Sequence, residues 1–125
     1  MANPSRKKLI EELRSLQKER NQLFRRFTRE EELAVGSVSR VNRRCGNPRC
    51  SCSEGEGHPQ VIFLFKDEDG HRRCKLVRRV DETMMLAAGE RYRQFRDDLK
   101  RLRAIENRQR EILVALMGRR GLKYK

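Results

Sequence analysis

Three cysteines lie close together near the middle of the chain, in the run Cys45-Gly-Asn-Pro-Arg-Cys50-Ser-Cys52. The glycine and proline between them favour a bent backbone, which would let the sulfur atoms converge on one point. Four residues separate Cys45 from Cys50, at the wide end of the ligand spacing in structural zinc sites. The cluster therefore predicts a bound Zn²⁺. Reduced thiols without a metal, and a disulfide or redox switch, are the alternatives.

The fourth ligand has more than one candidate. His58 follows Cys52 by six residues and precedes Pro59, whereas Cys74 comes later, within a predicted strand. His71 lies in the turn between them. We predict a site made by Cys45, Cys50, Cys52 and His58. A solvated loop histidine at position 58, with Cys74 completing the site, stays open as an alternative.

The N-terminal residues and the overall hydropathy indicate a compartment. No stretch approaches the roughly 20 apolar residues of a membrane span, and the N-terminus lacks the apolar segment of a signal peptide. We therefore expect a cytoplasmic protein, associated with the nucleoid if it binds DNA. Cytoplasmic thiols stay reduced, and clustered ones commonly hold metal.

Length and composition limit the size of the core. Of the 125 residues, 39% are charged and 6% aromatic, and none is tryptophan. We expect one domain over residues 1–118, with a core small enough to need a metal or a partner chain for stability. A long amphipathic second helix favours a homodimer through the long helices as that partner.

The net charge of +13 is unevenly distributed along the chain. Residues 34–80 hold ten basic and five acidic residues, and residues 119–125 hold four basic residues and no acidic one. An excess of positive charge around the cysteines and in the tail is typical of a polyanion binder, most simply of nucleic acid. A generic solvated basic surface is the alternative.

Periodicity predicts an α+β fold. Apolar residues at three- and four-residue steps predict a helix over residues 5–32, capped by Ser5, and a second one over residues 81–118, capped by Asp81 and ended by Gly118. We expect the two helices to pair as an antiparallel, coiled-coil-like hairpin. Their exposed faces would carry the pairs Asp97–Arg101 and Glu106–Arg110.

The middle of the chain, residues 34–80, predicts the cysteine loop and a small sheet of two or three antiparallel strands. Residues 34–43 suggest a short strand, and residues 61–66 and 72–78 form a hairpin about Asp69-Gly70. If that turn has two residues, Phe65 lies opposite Cys74. Residues 119–125 would then form a basic tail.

The sequence resembles a family of small, largely uncharacterised bacterial and archaeal proteins associated with mobile elements. The resemblance covers roughly residues 34–110 and depends on the Cys-Gly-x-Pro-x-Cys-x-Cys run and on Gly57-His58-Pro59. It implies that His58, rather than Cys74, is the fourth ligand. This chain departs from the family pattern because Pro59 follows His58 directly, without the family's intervening glycine, and Gln60 and Val61 replace the usual aromatics.

We predict a non-catalytic, zinc-stabilised nucleic-acid-binding module. DNA is favoured over RNA because few aromatic residues are available to stack on unpaired bases. The basic residues expected to contact phosphates are Arg43, Arg44, Arg49, Arg72, Arg73, Lys75, Arg78, Arg79, Arg119, Arg120, Lys123 and Lys125.

The alternative function is a helical-hairpin adaptor for a recombinase or replication factor. An enzyme is disfavoured because three thiolates make zinc a poor Lewis acid and the sequence has no other catalytic constellation. We expect neither a small-molecule substrate nor a membrane partner.

Overall fold

The computed structural model describes residues 4–44, 46–55 and 57–125, without the side chain of Cys52. Two helices and a three-stranded antiparallel sheet confirm the predicted α+β class. In chain order the elements are α1 (Arg6–Phe27), β1 (Ser37–Arg43), β2 (His58–Lys66), β3 (Arg72–Leu76) and α2 (Glu82–Arg120). Short 3₁₀ turns at Ser51–Glu54 and Arg79–Asp81 precede β2 and α2.

The chain divides into two compact units. We call Met1–Glu30 with Phe95–Lys125 the helical unit, and Glu31–Gln94 the sheet unit. The expectation of a single domain over residues 1–118 stays a prediction. Within the described residues, no helix combines the length and the apolar character needed to cross a bilayer.

Helix α1 begins where the sequence predicts and ends earlier. The hydroxyl of Ser5 accepts a hydrogen bond from the backbone N–H of Lys8 at 3.2 Å, which confirms the predicted N-cap. The helix ends at Phe27, five residues before the predicted end at residue 32. Both the backbone N–H and the hydroxyl of Thr28 donate to the carbonyl of Phe24, at 3.1 and 2.9 Å, and close the last turn.

The helical unit is held by a narrow apolar core and by ion pairs on both sides of it. Its buried apolar side chains are Leu9, Leu23, Ile105 and Ile112. Hydrogen-bonded ion pairs join α1 to α2 in antiparallel order: Arg26 to Asp98, Glu19 to Arg101, and Glu12 to Arg108. These contacts fix which residues of the two helices lie opposite one another.

Two of the predicted ion pairs have different partners in the structure. Arg101 donates to Glu19 on α1 at 2.5 and 2.7 Å, rather than to Asp97 one turn away. Glu106 lies 3.8 Å from Arg20 on α1, rather than pairing with Arg110. Both predictions were wrong because a neighbouring helix offers a better-placed partner than the same helix does.

A part-buried polar cluster forms where Arg20 interrupts the apolar steps of α1. Its Nη1 donates to Oε1 of Gln109 at 3.0 Å, and Nε2 of Gln109 donates to Oε1 of Gln17 at 3.0 Å. Gln109 is only 7% exposed. This cluster favours one pairing register, because a slip would leave the buried amide of Gln109 without these partners.

The sheet has the order β1-β2-β3 and packs one face against the start of α2. Val61, at the centre of that face, is completely buried. Val38 lies opposite Phe63 across the β1–β2 pair and contacts α2 at Gly89, where an added Cβ would be 2.9 Å from the Val38 side chain. Gly89 therefore lets the helix approach the sheet closely.

The hairpin turn has three residues, Glu68, Asp69 and Gly70, rather than the two predicted. The backbone N–H of Asp67 donates to the carbonyl of His71 at 2.9 Å, and Gly70 takes the left-handed conformation with φ of 83°. This is the usual geometry of a three-residue hairpin loop.

The extra loop residue shifts the pairing of β3. Phe65 lies opposite Arg73 and Leu64 opposite Cys74, so the predicted pairing of Phe65 with Cys74 was wrong. A shift of one residue moves every β3 side chain to the other face. Leu76 consequently lies on the outward face with Leu64, and they are 58% and 44% exposed.

Helix α2 starts and ends one or two residues away from the predicted bounds. It begins at Glu82, after the 3₁₀ turn, and runs through Gly118 to Arg120. The carboxylate of Asp81, the predicted cap, accepts a hydrogen bond from Nε of Arg78 at 3.0 Å. The predicted end at Gly118 was wrong, because an isolated glycine is tolerated in a helix at a cost of about 1 kcal/mol. The basic tail outside the helix is therefore residues 121–125.

Candidate metal site and basic surfaces

The cysteine loop folds into two consecutive tight turns. The backbone N–H of Cys50 donates to the carbonyl of Asn47 at 3.0 Å, and the Asn47 side chain accepts from the N–H of Arg49 at the same distance. Ser53 N–H then donates to the carbonyl of Cys50 at 3.0 Å. These turns direct the chain from the cysteine run back toward the start of β2.

Cys50 and His58 converge, as the predicted metal site requires. Sγ of Cys50 lies 2.9 Å from Nε2 of His58. Ligands of a tetrahedral zinc lie about 3.5 Å apart, given Zn–S of about 2.3 Å and Zn–N of about 2.0 Å. An opening of about 0.6 Å would admit the ion, so this thiol and this imidazole fit zinc. Cys45 and the side chain of Cys52 lie outside the described residues.

Gly57 closes the loop against the end of β1. Its φ is 94°, and an added Cβ would lie 2.3 Å from the carbonyl carbon of Arg43. Only glycine can adopt this φ without strain and also leave room for the backbone of Arg43. Nε of Arg44 donates to the carbonyl of Gly55 at 3.1 Å and holds the other side of the loop. The residue before His58 is thus fixed by a backbone contact, which positions the imidazole.

Cys74 lies away from this site. It pairs with Leu64, six residues along β2 from His58, which corresponds to about 20 Å at the rise of an extended strand. Its side chain is exposed. Of the two candidates for the fourth ligand, the structure brings His58 to Cys50.

Asp67, Asp69 and His71 offer a second group of metal-ligating atoms, all within 4.8 Å of one another. Turn geometry accounts for this group without an ion. Arg73 donates to Asp67 at 2.8 Å, and the backbone N–H groups of His71 and Asp69 donate to Oδ1 of the same carboxylate. These hydrogen bonds, led by that from Arg73, lower the pKa of Asp67. Asp67 therefore stabilises the hairpin turn.

The predicted phosphate contacts on the hairpin lie on different faces and at different ends of the sheet. Arg43 lies opposite His58 and Arg72 opposite Lys66, at the two ends of β2 on its outward face. Arg73 is on the helix-packed face, paired with Asp67. In the observed register these cations are therefore separated rather than gathered into one patch.

The remaining predicted contacts near the sheet have varied surroundings. Lys75 lies 5.8 Å from the ring centre of Phe65. Arg78 pairs with Asp81, and with Arg79 it lines a hollow of about 310 Å³ that also touches His58. Arg49 is exposed beside Cys50.

At the other end of the chain, Arg119 donates to the carbonyl of Pro4 from the last turn of α2, which Arg120 completes. Lys123 and Lys125 follow in the exposed tail.

Grouping the charges by unit changes the distribution seen along the chain. The helical unit contains 19 basic and 8 acidic residues, a net charge of +11, whereas the sheet unit contains 12 and 10, a net charge of +2. The cysteine run is locally basic, but the acidic residues at either end of the sheet unit offset it. Most of the excess positive charge of the protein therefore belongs to the helical unit.

Four basic residues of α1 form a stripe that the sequence analysis missed: Lys7, Arg14, Lys18 and Arg25. At 100° per residue they lie within about 40° of one another, over a length of about 27 Å. All four are exposed, and no ion pair engages them in the part of the chain that the structure describes. We call them the outer stripe. The buried Leu9 and Leu23 lie on the opposite side of the helix. A helical projection of residues 6–27 would have revealed this pattern.

Comparison with known proteins adds no assignment. No protein-family model matches the chain. No curated protein sequence matches it significantly, and the same holds for solved structures. The resemblance based on the cysteine run stays a prediction.

Proposed function

We propose that this protein is a non-catalytic nucleic-acid-binding module, with duplex DNA as the favoured ligand. The observation that carries the proposal is the net charge of +11 on the helical unit, together with the outer stripe of α1. Cations aligned over about 27 Å suit a ligand with regularly spaced phosphates. The low aromatic content favours a duplex over unpaired bases.

In this proposal the two helices form the coiled-coil-like hairpin and present the outer stripe from a rigid support. The pairs Arg26–Asp98, Glu19–Arg101 and Glu12–Arg108 neutralise much of the acidic charge of this unit internally. The cations that point outward are then left to contact phosphates. Binding of this kind depends on the phosphate backbone, so its affinity falls steeply as salt rises.

The proposal includes a structural Zn²⁺ held by Cys45, Cys50, Cys52 and His58. The contact between Cys50 and His58 supports this ligand set. A closed site of three thiolates and one imidazole supplies a cross-link rather than a reaction centre. It would tie the cysteine loop to the first residue of β2 and so hold Arg43, Arg44 and Arg49 in fixed positions.

The test is a salt titration of binding to a labelled DNA duplex, with and without the outer stripe. We expect affinity to fall linearly with salt on logarithmic axes, and the slope to decrease by about one for each phosphate contact removed. Replacement of Lys7, Arg14, Lys18 and Arg25 by glutamine should therefore reduce the slope by about four. No binding of the wild-type chain at low salt would contradict the proposal.

A second candidate function, the helical-hairpin adaptor, has a specific observation in its favour. Leu113, Val114 and Met117 near the end of α2 are between 54% and 66% exposed. Absence of DNA binding at low salt, with formation of a stable protein complex, would favour the adaptor. The two functions are compatible because the outer stripe and these apolar side chains are different residues.

A further inference from the structure

Two hollows on the helical unit share Leu113 and Met117 in their linings and so lie next to each other; we call the two together the groove. The first has a volume of about 400 Å³ and the second about 680 Å³. The described residues that line the groove all belong to the helical unit.

The floor of the groove is an apolar strip on α2. Leu113, Val114 and Met117 are 54%, 55% and 66% exposed. Leu113 and Val114 are adjacent in sequence, and Met117 lies one helical turn further along. An amphipathic helix normally turns such residues toward a core. Here the core positions are taken by Ile105 and Ile112, which are fully buried. A contiguous apolar strip outside the core is a candidate surface for another chain.

The rim of the groove is cationic. Arg6, Arg119 and Arg120 border one end and Arg20 and Arg110 the other. Among the described residues that line the groove, Glu106 is the only acidic one, and it lies 3.8 Å from Arg20. An apolar floor between rows of arginine is complementary to a helix with apolar residues on one face and carboxylates beside them.

We propose that this groove is a docking site for an acidic amphipathic helix of another protein. The charge decides against a second copy of this chain, because docking would bring together two helical units that each carry +11. A carboxylate-flanked helix gains attraction at the same rim, and its apolar face covers Leu113 and Met117. The site goes beyond nucleic-acid binding and uses residues outside the outer stripe.

The test uses two synthetic amphipathic helical peptides that share a leucine face and differ in their flanking residues, glutamate in one and lysine in the other. Binding of each labelled peptide to the full chain is followed by fluorescence anisotropy. We expect saturable binding of the glutamate peptide alone. The double variant Leu113→Ser, Met117→Ser should weaken it about tenfold or more. Leu64→Ser with Val80→Ser, which removes two exposed apolar side chains of the sheet unit, should leave it unchanged.

A matched pair of charge reversals separates docking from general attraction. Arg110→Glu and Lys18→Glu change the net charge equally, but only Arg110 lines the groove. We expect Arg110→Glu to weaken peptide binding and Lys18→Glu to weaken DNA binding, so the two proposals can fail independently. Circular dichroism of each variant checks that the helices are intact.

Three results would overturn the proposal. These are equal binding of the two peptides, equal weakening of peptide binding by the two charge reversals, and a dimer in light scattering that Leu113→Ser, Met117→Ser dissociates. The last result would assign the groove to a second copy of this chain.

Discussion

Sγ of Cys50 lies 2.9 Å from Nε2 of His58, although seven residues separate them along the chain. Two tight turns and the fixed backbone of Gly57 bring the thiol and the imidazole together. A thiol and an imidazole are ligand types that structural zinc sites use, and we propose that this pair opens slightly to hold the ion. The contact joins the cysteine loop to the beginning of β2 at one point.

Zinc content gives the first prediction. Purified protein should contain about one zinc per chain, and Cys50→Ser or His58→Gln should lower that content and the thermal stability together. Cys74→Ser is the matched control, because Cys74 is exposed and lies about 20 Å away along the strand. Elemental analysis of the wild type and the three variants measures their zinc content. Retention of zinc in Cys50→Ser, or its loss in Cys74→Ser, would contradict the ligand set.

A pair of glycines in the same loop gives the second prediction. Gly57→Ala should destabilise the protein by about 2 kcal/mol or more, because the left-handed backbone and the contact with Arg43 both exclude a methyl group. Gly55→Ala is the control, since an added Cβ there meets no atom within 4 Å. Urea denaturation measures the free energy of unfolding of both variants. Equal stability of the two variants would show that the backbone at position 57 is not as close to Arg43 as described.

The partly buried ion pair of the helical unit gives the third prediction. Asp98 is 4% exposed, and Nε of Arg26 donates to its Oδ2 at 2.9 Å while the second guanidinium nitrogen contacts Oδ1. Arg26→Ala takes this bidentate partner from a buried carboxylate and should cost about 2–3 kcal/mol. Arg25→Ala, next in sequence but exposed, should cost less than about 0.5 kcal/mol. Thermal or urea unfolding compares the two, and similar losses would argue against the helix pairing.

Acid should weaken the same unit. Hydrogen bonds from Arg108 and Arg101 lower the pKa values of Glu12 and Glu19 below the ordinary value of about 4.5. A carboxylate whose pKa is lower in the folded chain stabilises it above the unfolded value, and this contribution is lost as pH falls through the folded value. The melting temperature should therefore decrease as pH is lowered below about 4.5.

Glutamine variants test the origin of that decrease. Glu12→Gln with Glu19→Gln should lower the melting temperature at neutral pH and flatten its fall in acid. Glu11→Gln is the control, because no ion pair engages Glu11 among the residues that the structure describes. An unchanged acid transition in the double variant would assign the pH dependence to other groups.

The elements of the fold could be predicted because local patterns specify them. The Ser5 cap, the two helices and the hairpin follow from sequence periodicity and turn residues. The register of β3 could not be predicted, since Asp69-Gly70 fits a two-residue loop as well as the end of a three-residue loop. Asp67 decides between them, because its carboxylate binds the N–H groups of Asp69 and His71. Hydrogen bonds between a side chain and the backbone cannot be predicted from the alternation of apolar and polar residues along a strand.

The placement of charge was only partly predictable. Counting along the chain located the excess at the cysteine run and in the tail, whereas the structure joins the tail with residues from both helices into one unit with +11. That grouping depends on which helices pair, and the pairing depends on contacts such as Arg20 with Gln109. The outer stripe itself could have been predicted from the sequence, because it follows from the helical period alone.

The most direct test of nucleic-acid binding by the helical unit is a comparison of two matched variants in one DNA titration. In the first, Lys7, Arg14, Lys18 and Arg25 become glutamine; in the second, Arg43, Arg72, Arg73 and Lys75 do. Both variants lose four positive charges, so a difference between their DNA affinities depends on where the charges lie and not on the total charge. We predict a large loss of affinity and a salt slope lower by about four in the first variant, with a smaller change in the second. Wild-type affinity in the first variant would contradict the account.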